Sequence, residues 1–76
     1  MEMEWMEWVE MAADARAAQR RRGGGSIVRG ISVASIWRYE RGNCSRREQL
    51  ELWASALDMD IDVAVAAWRS HYEPET

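Results

Sequence analysis

Gly30-Ile31-Ser32-Val33-Ala34-Ser35-Ile36-Trp37-Arg38-Tyr39-Glu40-Arg41-Gly42 is the stretch whose reading decides the fold. It reads as a turn, a short amphipathic helix and an Arg-Gly stop. Ile36 and Tyr39 are three apart and share a face, so with Ile31 they point inward. Ser32, Val33, Ala34, Trp37 and Arg38 then face outward or flank. The spacing predicts a helix from Ile31 or Ser32 to about Arg41, closed by Gly42.

Charge gathers around this stretch. The chain has 10 basic residues, all arginine, and nine of them lie between Arg16 and Arg47: Arg16, Arg20, Arg21, Arg22, Arg29, Arg38, Arg41, Arg46 and Arg47. Glu40 is the one acid in that span, whereas the first 15 residues carry five acids and residues 48–76 carry seven acids and one arginine. The net charge of −3 hides a strongly basic middle. Net charge governs solubility, but local clusters govern what docks, so the distribution points to an anionic partner despite the acidic total.

Seventy-six residues suffice for one domain with one small core. Hydrophobic residues make up 47%, too many for a chain disordered by composition. Trp5, Trp8, Trp37, Trp53 and Trp68, in a chain without Phe, are expected to supply much of the core volume. A lone Cys44 excludes an internal disulfide and a cysteine zinc site, which suits a reducing compartment. The acidic start is not a signal peptide, and the longest apolar run, Val63 to Trp68, is too short to span a bilayer. His71 has no neighbours that suggest a metal. No nucleophile elbow, P-loop or paired-carboxylate motif occurs, so neither an enzyme nor a cofactor is expected.

Read along its length, the chain predicts five helices and no strand. The first runs from Glu2 to about Arg22, with Trp5, Trp8, Val9 and Ala12 on one face and Glu7, Glu10 and Asp14 on the other. Acids at its start and arginines at its end complement the helix dipole. Gly23-Gly24-Gly25 stops it. Ser26 then caps a short second helix through Ile27 and Val28 to Arg29. The third is the stretch quoted above. Asn43 to Arg46 form a loop. The fourth runs from Arg47 to Leu57, with Leu50, Trp53, Ala54 and Leu57 inward. Asp60 or Asp62 caps a fifth that reaches about His71, with Ile61, Val65 and Trp68 on one face. Pro74 marks a tail.

Gly30, Ser32, Ser35, Ile36, Glu40 and Gly42, followed by Leu50 and Trp53-Ala54-Ser55-Ala56-Leu57-Asp58-Met59-Asp60-Ile61-Asp62, resemble the phage Cro-and-repressor helix-turn-helix family. The resemblance covers residues 30–62, and residues 5–29 by helix placement alone. It implies a small all-α bundle of five helices over residues 1–76. Its long first helix covers residues 2–22, the helix-turn-helix about 25–42, and helices four and five 46–72. It also implies a transcriptional regulator that docks its third helix in the major groove of duplex DNA as a homodimer, in the cytoplasm of a bacterial host. A helix-one arginine of the family pairs with a glutamate near the end of helix three, which here implies Arg16 and Glu40. Arg16 shares the Trp5/Val9 face, where an unpaired charge is expensive to bury. The alternative is that Arg16 snorkels to solvent.

The chain departs from the family in two places. Gly25, Ser26 and Arg29 stand where helix two usually carries apolar residues. Three glycines in a helix cost on the order of 3 kcal/mol, so helix two is expected to be short or displaced, with Ile27 and Val28 filling the core. Val33 and Ala34 stand where Gln, Arg, Ser or Thr usually read base edges.

The residues therefore support two functional readings. As a DNA-binding regulator, the chain reads bases with Ser32, Val33, Ala34, Trp37 and Arg38 and holds phosphates with Arg22, Arg29, Arg41, Arg46 and Arg47. Arg46 and Arg47 sit at a helix start, where their charge opposes the dipole unless an anion binds. Arg20 to Arg22 beside the glycines form either a phosphate-gripping corner or a plain helix end. As an interaction protein, a phage-encoded binder of a host protein, the chain uses Trp37, Val33 and the arginines as its epitope. Trp37 is either exposed for one of these roles or folded onto the fourth helix.

Overall fold

The computed structural model describes residues 3–23 and 30–73. Among these residues the chain is all-helical, with α1 (Trp5–Arg21), α2 (Val33–Tyr39), α3 (Arg47–Ala56) and α4 (Ile61–Tyr72). No strand occurs among the described residues. Four helices thus stand where the sequence predicts five. The one expected from Ser26 to Arg29 lies outside the described residues, as do Gly24 and Gly25. α2, α3 and α4 are the helices that the sequence places third, fourth and fifth.

α1 buries Trp5, Trp8, Val9 and Ala12, the face expected of it. It begins later than expected because Glu4 is extended (φ −70°, ψ 149°) and has no side-chain capping bond. It closes through the Arg22 N–H, which donates to the Ala18 and Gln19 carbonyls at 3.2 Å. α4 packs against both α1 and α3. At the centre Trp8 meets Trp53 edge to face, with ring centroids 4.9 Å apart at 84°. Trp5 stacks on Trp8 at 5.5 Å. The indole N–H groups of Trp8 and Trp53 are buried without a hydrogen-bond acceptor, a cost the packing of these rings must offset.

α3 buries Leu50, Trp53 and Ala54, with Leu57 just past its end, as the periodicity predicts. Its terminus is a double turn: the Asp58 N–H donates to the Ser55 carbonyl at 3.1 Å and the Met59 N–H to the Ala54 carbonyl at 2.9 Å. Asp60 is the cap of α4; its carboxylate accepts from the N–H groups of Asp62 (2.9 Å) and Val63 (3.4 Å). α4 buries Ala64, Val65, Ala67 and Trp68. Ile61, expected on that face, is instead exposed. It is the first helical residue, and its side chain leans toward the N-terminal end, past the edge of the core.

The loop between α2 and α3 is strapped from both sides. The Gly42 carbonyl accepts from the Trp5 indole N–H at 2.9 Å and from the Tyr72 hydroxyl at 2.7 Å. The Cys44 N–H donates to the Tyr72 hydroxyl oxygen at 3.1 Å, and the Trp68 indole donates to the Cys44 carbonyl at 2.8 Å. Gly42 has φ +95°, a backbone conformation that side chains other than glycine's adopt only with strain, so glycine suits this position. Cys44 is fully buried, and burial pushes its thiol from the ordinary 9.0 up to about 11.

Candidate nucleic-acid interface

α2 has seven residues, too few to persist as an isolated helix, so its neighbours set its shape. Ser32 caps it, its hydroxyl accepting from the Ser35 N–H at 3.2 Å. Ile36 is its buried anchor. Tyr39 is half-buried, with its ring 5.6 Å from that of Trp53 and its hydroxyl donating to Gln49 Oε1 at 3.3 Å. The Arg16 guanidinium holds the Glu40 carboxylate at two points, 2.9 and 2.7 Å, just past the end of α2. The ion pair expected from Arg16 and Glu40 is therefore made, and Arg16 does not snorkel away. It also neutralises the one acid of the basic stretch.

The outward face of α2 holds the five residues expected there. Ser32, Val33, Ala34, Trp37 and Arg38 are all exposed. Val33 is 54% and Trp37 59% accessible, so Trp37 is not folded onto the following helix. Trp5, Trp8, Trp53 and Trp68 fill the core, and Trp37 is the departure from the expectation that the tryptophans serve it. The polar groups on this face are connected. The Ser32 hydroxyl donates to Ser35 Oγ at 3.0 Å, and Arg38 Nη2 donates to the same Ser35 oxygen at 3.3 Å.

Arg38 and Arg46, on separate elements, line one open cleft of ≈ 510 Å³ between α2 and the start of α3. Ser35, Tyr39, Asn43, Ser45 and Gln49 complete its wall. Arg46 also borders a neighbouring hollow with Arg47 and Glu48. Arg46 is the N-cap of α3 and makes no side-chain capping bond. Burial of the Tyr39 hydroxyl raises its pKa above the usual 10.0, so it stays a neutral donor and acceptor in the cleft wall. The other expected phosphate residues are dispersed. Arg41 is exposed in the loop but does not line the cleft, and Arg22 is exposed at the end of α1. Arg29 lies outside the described residues. Asn43, Ser45 and Gln49 were not expected here. Their signal was the three-residue spacing of Arg46 and Gln49 on one helix face, with two small polar residues just before it.

Comparison with known protein families, characterised proteins and solved structures finds no match for this chain. No helix among the described residues is long and apolar enough to cross a membrane.

Proposed function

We propose that this chain is a small helix-turn-helix regulator of the phage Cro-and-repressor type, binding duplex DNA as a homodimer in a bacterial cytoplasm. In this reading α2 enters the major groove. The observation that carries the reading is the cleft in which Arg38 and Arg46 meet beside the outward face of α2. Arg38 has the reach and two-pronged geometry that guanine's groove edge accepts. Arg22, Arg29, Arg41, Arg46 and Arg47 serve the phosphates in this reading.

A salt titration against mixed-sequence duplex DNA tests the reading. Affinity should fall steeply with salt, and Arg46→Ala should lower the logarithmic slope by about 1 on every duplex. Arg38→Ala should cost about 1–3 kcal/mol on the preferred site alone. Salt-insensitive or absent binding overturns it.

A second reading is favoured by the 59% exposure of Trp37 beside Val33. A large aromatic on an open helix face is what protein interfaces use as an anchor. Under that reading the wild type shows no salt-sensitive DNA affinity, and Trp37→Ala abolishes capture of a protein partner.

A further inference from the structure

The proposed DNA contact leaves open what kind of base edge α2 reads. The polar groups on its outward face are largely committed. Ser32 Oγ accepts from the Ser35 N–H and donates to Ser35 Oγ, while Ser35 Oγ also accepts from Arg38. That leaves a Ser32 lone pair, the Ser35 O–H and, as the charged group, Arg38 with its remaining guanidinium donors to read polar base edges from this face. Between and beside these groups the face is apolar. Val33, Ala34 and Trp37 are exposed, and Val33 and Trp37 are one turn apart and so stand together.

The surroundings of this apolar face suit a polyanion. Arg38, Arg41, Arg46 and Arg47 are all exposed, and Glu40 is tied to Arg16. Glu48, exposed in the first turn of α3, is the nearest opposing charge in sequence. An apolar stripe with Arg38 on the same helix face, and with Arg46 lining the cleft next to it, fits a ligand that is anionic at its edges and carries methyl groups at its centre. The major groove of duplex DNA is such a surface, because each thymine presents its C5-methyl there.

We infer that α2 reads thymine methyl groups through Val33, Ala34 and Trp37, with Arg38 adding a guanine contact. The inference rests on the DNA-binding reading above. Ser35 is the positioning residue, because it holds Arg38 beside the stripe. Recognition by methyl contact has a distinct signature, since its discrimination comes from apolar burial and disappears with the methyl group. Burying one methyl contributes about fourfold in affinity.

The test is the duplex most enriched by the protein from a randomised pool, synthesised once with thymine and once with deoxyuridine in its place. Each uracil at a contacted position should weaken binding about fourfold, while the salt slope stays the same. Val33→Ala, a change at an exposed site that leaves the core untouched, should bind the thymine duplex more weakly and narrow its thymine-over-uracil preference. Steep salt dependence with equal binding of the two duplexes overturns this inference and leaves the DNA reading standing. So does a pool that binds but never enriches. Absence of any salt-sensitive duplex binding overturns both.

Discussion

At position 58 the backbone calls for a residue without a Cβ. Asp58 has φ 57°, the left-handed conformation that closes the double turn after α3. Aspartate tolerates it better than most residues, but glycine adopts it without the steric cost. Asp58→Gly should therefore raise stability by about 1 kcal/mol, seen as a higher urea midpoint with an unchanged slope. An unchanged or lower midpoint would mean that the glycine's extra freedom in the unfolded chain outweighs the relief. The helix end itself was legible, because the inward series Leu50, Trp53, Ala54, Leu57 runs out there. The left-handed residue was not, because no glycine or asparagine marks it. Trp37 shows the same limit. Composition places a tryptophan in the core, and only the helical phase of the quoted stretch turns it outward.

Within elements, phase was readable; between elements it was not. Periodicity found the buried faces of α1 and α3, and erred on α4 only at Ile61, where a helix end passes the core edge. The Arg16–Glu40 pair was accessible through family resemblance and the cost of burying a lone charge. Nothing in the spacing reveals that Trp5, Trp68 and Tyr72 converge on residues 42 and 44, because those contacts join elements distant in the chain. The same is true of the cleft, where a loop brings Arg46 across from Arg38. Tyr72→Phe tests the strapping. It removes the hydroxyl that donates to Gly42 and accepts from the buried Cys44 N–H. The Gly42 carbonyl keeps its bond from Trp5, but the Cys44 N–H loses its acceptor, so the loss should be about 1–3 kcal/mol in urea denaturation. Full retention of stability would show that water replaces the hydroxyl.

Across the described residues, the acidic flanks outweigh the basic middle in net charge, while Arg20, Arg21, Arg22, Arg38, Arg41, Arg46 and Arg47 are exposed. Trp37 offers a direct check of this arrangement. Its 59% exposure contrasts with 6% or less for Trp5, Trp8, Trp53 and Trp68. Iodide should therefore quench the Trp37 share of the fluorescence, aided by the arginines beside it, and Trp37→Phe should leave emission nearly unquenched. Strong quenching in that variant would contradict the buried core. The strapped loop also bears on how the chain comes to life. Contacts to Gly42 reach back 37 residues to Trp5 and forward 30 to Tyr72. During synthesis Trp5 leaves the ribosome early and Tyr72 late, and closing loops of this length carries an entropic cost that must be met before the contacts form. The loop that joins Arg38 to Arg46 thus gains its bonds to Trp68 and Tyr72 only after α4 has emerged. A nascent chain still lacking α4 can hold that loop through the Trp5 indole but not through Trp68 or Tyr72, so its full strapping is among the last steps of folding.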